Sequence, residues 1–144
     1  MEDELARFTG WHRKTNVALE YWQVIVTSRR LICCFLGQSF QSLLLKADMG
    51  ASHREDVASM SPAEAAAFDE KNLLVPLSSL QAITLTSSTR FRTAALEFEW
   101  ADDRIQFRRN GGEDAEATLS SLERDDRLEH VTIEIRSPSL LPWR

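Results

Sequence analysis

The amino-acid sequence predicts one α+β domain in which β-structure dominates. Three observations carry that prediction. Tyr21 to Gly37, YWQVIVTSRRLICCFLG, is two apolar runs divided by a short polar break. Phe91 to Arg109 repeats the plan, with Leu96, Phe98 and Trp100 alternating with Glu97 and Glu99 before a return run. Helix-capping patterns and acidic helix starts are few and short, chiefly at 51–70 and 113–123.

The first of these, residues 21–37, is rich in β-branched and aromatic side chains, which pack well on a pleated surface. A tight loop at Ser28-Arg29 pairs Val26 with Leu31, Val24 with Cys33 and Trp22 with Phe35; without an Asn-Gly turn, a one-residue slip that exchanges the two faces is the alternative. Strand side chains alternate faces, so these six residues share one wholly apolar face. The opposite face carries Tyr21, Gln23, Ile25, Thr27, Arg30, Ile32, Cys34 and Leu36 and is itself half apolar. Such a patch needs a cover, because large exposed apolar patches are rare on monomers. The insert at 51–70 offers few large apolar side chains for the task, chiefly Val57, Met60 and Phe68. Tyr21, Ile25, Ile32 and Leu36 are therefore the expected self-association residues, in a homodimer or higher assembly.

Taken in order, residues 1–16 form an N-terminal arm: Glu2 to Phe8 predicts a short helix ended by Gly10, followed by a polar connector. After the hairpin, Ser39 to Leu45 suits either a third strand or a short helix. Ser52-His53-Arg54-Glu55 and Ser61-Pro62-Ala63-Glu64 both match the capping box, in which serine and glutamate each satisfy one orphan backbone N–H. Val75-Pro76-Leu77 reads as an edge or a strand start, since proline donates no ladder hydrogen bond. Leu80 to Thr86 is a strand. Phe91 to Trp100 and Ile105 to Arg109 form a second hairpin turning at Asp102-Asp103, with Trp100 opposite Ile105, Phe98 opposite Phe107 and Glu97 opposite Arg108. Glu113 to Glu123 is a helix, acidic at its N-terminus as the macrodipole favours, with Ala115, Leu119 and Leu122 as its inner stripe. His130 to Arg136 is a last strand, and 137–144 a proline-punctuated tail. Trp22, Leu31, Phe98, Trp100 and Phe107 should be among the most buried residues.

With 144 residues, residues 1–144 fit a single domain able to bury a real core. The net charge of −5 argues against a nucleic-acid partner, which demands a basic footprint, and against strong membrane binding. Residues 1–50 carry six Lys/Arg and five Asp/Glu, so the acidity sits in the later part. MEDELARFTGW lacks the apolar segment of a signal peptide. Cys33 and Cys34 are adjacent in a strand and point to opposite faces, which excludes a mutual disulfide. They read as small buried hydrophobes in a reducing, cytoplasmic setting.

No pattern of catalytic or metal chemistry emerges. His12, His53 and His130 stand alone, without zinc-site spacing, so no metal or cofactor is expected. Cys33 and Cys34 lie mid-strand in apolar company, where thiols are inert. Glu97 and Glu99 lie about 7 Å apart on one strand face, a glycosidase-like separation, but on a solvated face near Arg108. Gly111-Gly112 lacks the lysine and Ser/Thr of a phosphate loop. Arg108 and Arg109 suit ion pairs with the acidic strand.

VTSRRLI, residues 26–32, resembles the V-T-x-x-R-L-I hairpin of bacterial and archaeal PH-like (pleckstrin-homology-like) domains. VPLSSLQAITL, residues 75–85, resembles their I-P-x-x-x-I-x-x-V strand start, with Pro76 and Ile83 near the expected places. The resemblance covers about half the chain and makes residues 38–72 an enlarged connection. It implies a bent, partly open antiparallel barrel or sheet capped by a C-terminal helix, here 113–123; the strand at 130–136 departs from the simple pattern. It implies no shared catalytic site, and members that act as scaffolds or as lipid- or peptide-contacting modules and often oligomerise. In eukaryotic PH domains the first loop holds basic residues for phosphoinositide head groups. Carried over, that points to Arg29 and Arg30, with Arg13 and Lys14, as anion or partner contacts. The expected function is a non-catalytic interaction or assembly module for a protein partner or itself; the alternative is a barrel holding a lipid or other apolar molecule.

Overall fold

The computed structural model describes residues 2–40, 60–89 and 92–136. They form a β-dominated α+β fold, and the chain divides into two compact units, Met1–Ser79 and Leu80–Arg144.

The first unit is an antiparallel sheet of β1 (Glu4–Lys14), β2 (Ala18–Thr27), β3 (Arg30–Phe40) and β4 (Leu73–Pro76), in the order β4-β3-β2-β1. The first hairpin has the predicted register: Val26 opposes Leu31, Val24 opposes Cys33 and Trp22 opposes Phe35. Trp22 and Phe35 meet edge to face, with ring centroids 5.3 Å apart. Gly37 sits opposite Tyr21 beside a register shift and adopts φ 134°, a conformation L side chains resist. β4 closes one end of this sheet, with Pro76 at its last position.

Residues 4–14 are a strand, not the predicted helix and connector. Ala6, Phe8 and Trp11 are buried along it. Two register shifts, between Glu4 and Ala6 and between Phe8 and Trp11, interrupt the pairing with β2. Gly10, at φ 80°, lies within the second. These bulges break the period-two alternation that marks a strand in sequence, and Glu, Ala and Arg lend the stretch a helical look.

The second face of the first hairpin is covered within the chain. Ile25, Ile32, Cys34 and Leu36 are buried together with Ala65, and Tyr21, Met60, Ala66 and Phe68 pack against them. The cover contains a five-residue helix, α1 (Pro62–Ala66), whose start is the predicted capping box: Ser61 Oγ accepts from the Glu64 N–H, and Glu64 Oε1 accepts from the Ser61 N–H. Asn72 Nδ2 donates to the Ala65 and Ala66 carbonyls while its Oδ1 accepts from the Phe35 N–H, tying cover to strand. The other predicted box, at 52–55, and the Ser39 to Leu45 choice beyond Phe40 lie outside the described residues. Gln23 is fully buried, and neither of its amide atoms has a hydrogen-bond partner. Such a group costs about 1–3 kcal/mol.

The second unit is a mixed sheet of β5 (Leu80–Thr86), β6 (Ala94–Trp100), β7 (Asp103–Arg109) and β8 (Thr132–Arg136), ordered β7-β6-β5-β8. β8 runs parallel to β5; the other pairs are antiparallel. α2 (Glu113–Glu123) buries Ala115, Leu119 and Leu122 as predicted. The second hairpin is slipped by two residues from the predicted register: Phe98 opposes Ile105, Leu96 opposes Phe107, Glu97 opposes Gln106 and Trp100 opposes Asp103. The turn is Ala101-Asp102, and Ala101 takes the left-handed value φ 47°, which alanine resists. A two-residue slip preserves faces. Phe98 and Phe107 are accordingly fully buried and in edge-to-face contact at 6.3 Å. Trp100, next to the turn, is only half-buried, contrary to expectation.

Candidate functional site

The four basic residues singled out in the sequence do not form one site. Arg29 and Arg30 sit at the β2–β3 turn, whereas Arg13 and Lys14 lie at the far end of β1, opposite Glu20 and Leu19. About nine strand residues separate the pairs along β2, on the order of 30 Å. Arg30 is already engaged: its Nε donates to Glu2 Oε2 at 2.8 Å and its Nη2 to Glu2 Oε1 at 3.0 Å. Thr27 Oγ1 donates to the same carboxylate at 2.7 Å. The Arg30 bond, above all, holds the Glu2 carboxyl below the ordinary glutamate range; burial opposes it and Thr27 reinforces it. Arg13 lies 3.7 Å from Glu20. Arg29 is the exposed cation at the turn.

The self-association residues are likewise relocated. Ile25, Ile32 and Leu36 are buried and Tyr21 packs with them beneath residues 60–68. Residues 60–68 thus supply cover that the sequence reading assigned to a second copy; that reading weighed the insert's few large side chains and not Ala65 and Ala66, which pack here.

Potentially reactive groups are muted. Cys33 and Cys34 are free and buried. Burial pushes the Cys33 thiol far up, and raises that of Cys34 to about 12 against the opposing pull of Arg7. Both are protonated and poor nucleophiles at neutral pH. Among the described residues no group of three or more histidine, cysteine or acidic side chains is placed to hold a metal. Arg109 pairs with Asp114 of α2 at 2.9 Å. A cavity of about 210 Å³ in the second unit is lined by Leu85, Ser87, Ser88, Ala94, Gly111, Gly112, Glu113 and Glu116. Ser87 Oγ donates to Glu116 Oε1 at 2.5 Å across it. Its volume falls short of the roughly 300–1,000 Å³ usual for a small-molecule site.

Among the described residues, one edge of the second unit is open. β8 ends the order β7-β6-β5-β8 and pairs with β5 along one side. Four of its five residues, Thr132, Glu134, Ile135 and Arg136, are exposed. The Arg136 carbonyl accepts from the Ser87 N–H at 2.9 Å, on the β5 side. Strand groups alternate in direction, so Thr132 and Glu134 also turn toward β5. Ile133 and Ile135 present their N–H and C=O groups to the open side. Ile135 is 39% exposed, one of three large apolar side chains so exposed among the described residues. Arg136 Nε lies 2.9 Å from Glu134 Oε1. That hydrogen bond, with the fields of Glu134, Glu97 and Glu99, strengthens the guanidinium's hold on its proton. Sequence reasoning found this strand but not its place at the end of the strand order. The signal available was an isoleucine alternating with charges on the last strand of the chain.

Fold and surface together describe a β-dominated α+β protein with an open mixed sheet. No protein-family model matches the chain, and no curated protein matches it. Among solved structures it is similar to the hSac2 domain from human phosphoinositide phosphatase Sac2, with a TM-score of 0.56 and 7% identity, over 98% of this chain and 80% of that one. At that identity the likeness is one of fold. Among the described residues no helix is long and apolar enough to cross a membrane.

Proposed function

We propose that this chain is a non-catalytic interaction module, cytoplasmic and PH-like in plan, that binds protein through the open side of β8. One observation carries the reading: a sheet ends on a strand with four of five residues exposed and an isoleucine among them. Free strand edges template pairing with another chain, and natural proteins usually blunt them. Strand addition supplies affinity through main-chain hydrogen bonds and specificity through alternate side chains. The buried, protonated thiols support the non-catalytic half of the reading. The engagement of Arg30 by Glu2 supports weak attraction to anionic lipid.

A photo-crosslinking amino acid placed at Ile135 tests the reading in cells, with the same residue at Val17 of the first unit as control. Val17 is 66% exposed, so both probes meet solvent. The expected result is a discrete protein adduct at 135 that is missing at 17. Equal labelling at both positions, or none at 135, sinks the proposal.

A further inference from the structure

The charge pattern of β8 fits a second copy of the same strand. Resting on the module reading above, we infer that the partner at this edge is another molecule of this chain, paired antiparallel through β8 about a two-fold axis at Ile135. Isologous two-fold contacts require a surface complementary to itself. If Ile135 lies on the axis, it meets the same residue of the second copy. Glu134 then lies opposite Arg136 of the other molecule, and the reverse, giving two cross-strand pairs of opposite sign. These pairs are added to the Glu134–Arg136 contact already present within the strand.

The backbone agrees with this register. Ile135 turns its N–H and C=O to the open side, because Arg136 directs its carbonyl to Ser87. Two such residues face to face exchange both main-chain hydrogen bonds, the close-bonded pair of an antiparallel ladder. An axis at Glu134 also allows a ladder, with Ile133 and Ile135 as its hydrogen-bonded pairs, but it sets Glu134 against Glu134 of the second copy, and like charges meet. An axis at Ile133 has the right backbone direction but sets Glu134 against Thr132 and leaves the charges unmatched. The exposed apolar side chain and the charge order thus select one register among those the backbone allows.

One short strand buries less than the roughly 1,200 Å² of a stable interface, so the association is weak and concentration-dependent. Sedimentation equilibrium on the whole chain, from about 10 μM to 1 mM, tests it. Wild type is expected to show a monomer–dimer equilibrium. Glu134→Arg alone, or Arg136→Glu alone, places like charges opposite each other twice and should weaken dimerisation about tenfold or more. The double exchange restores opposite signs in the same register and should return the constant to near wild type. Circular dichroism checks that all three variants remain folded; the exposure of both side chains predicts that they do. Wild type that stays monomeric to the top of the range overturns the inference. So does a dimer indifferent to the single exchanges, or one that the double exchange fails to rescue. If self-pairing fails while the probe at Ile135 still captures a different protein, the module reading survives and only the identity of the partner falls.

Discussion

Ile25→Lys gives opposite results for a covered and an open hairpin face. On an open face the lysine would project into water and the fold would tolerate it. Ile25 has no exposed surface and packs with Ile32, Cys34, Leu36 and Ala65. A lysine there must either stay charged in an apolar cluster or give up its proton. Deprotonating a group of ordinary pKa near 10.4 costs about 5 kcal/mol at pH 7, at ~1.4 kcal/mol per pH unit. Lost isoleucine packing adds roughly 2 kcal/mol or more. The sum matches the whole stability of many domains, about 5–15 kcal/mol. The pH sign is fixed: burial depresses the folded-state pKa, so the loss is fullest at neutral pH. It shrinks by up to ~1.4 kcal/mol for each unit of rise toward pH 10. Urea unfolding followed by tryptophan fluorescence at pH 7 and 9.5 measures both, with Ile25→Val, at about 0.5–1.5 kcal/mol, as the conservative control. A lysine variant within about 1 kcal/mol of wild type at pH 7, with no gain on raising the pH, would refute the covered face.

Three further outcomes follow from the same packing. Phe98→Ala should cost about 3–5 kcal/mol in the same unfolding assay, because Phe98 is fully buried against Phe107; a loss under ~1 kcal/mol contradicts its placement. Ala101→Gly should raise stability by up to about 1 kcal/mol, since glycine relieves the left-handed φ of 47°, and a drop in the thermal midpoint would count against the turn. Glu2→Gln should cost on the order of 1 kcal/mol at pH 7. Its folded-state pKa is lowered, so the contribution is present above the ordinary glutamate value and lost as pH falls through the folded one. The gap between wild type and Glu2→Gln should close on acidification, and a constant gap from pH 7 to 3 would contradict the role of Arg30.

The first hairpin was legible as a hairpin from its apolar runs and short break; its register was open to a one-residue slip, and the structure pairs the wholly apolar face in the predicted register. The second hairpin was legible in its faces but not in its register. Asp102-Asp103 looks like a turn, whereas the chain turns one residue earlier by holding Ala101 at a φ that alanine resists. No propensity argument selects alanine for such a position. β1 was read as a helix because its bulges hide the alternation of Ala6, Phe8 and Trp11. The basic residues were grouped by type, but only the length of β2 shows how far apart they stand. The candidate edge was illegible for a related reason: a sequence shows that 130–136 is a strand, not that it comes last in its sheet.

The cover over the first hairpin also has a consequence for synthesis. Tyr21 to Gly37 is apolar on one face and half apolar on the other, and the described residues that shield its second face lie between Met60 and Phe68. Thirty-one positions separate Gly37 from Phe68, or roughly 2 to 6 seconds at ~5–20 residues per second of translation. For that interval the emerging ribbon has an apolar surface and no lid. The nascent chain thus depends on delayed collapse or on a chaperone to carry a sticky hairpin until its own cover arrives.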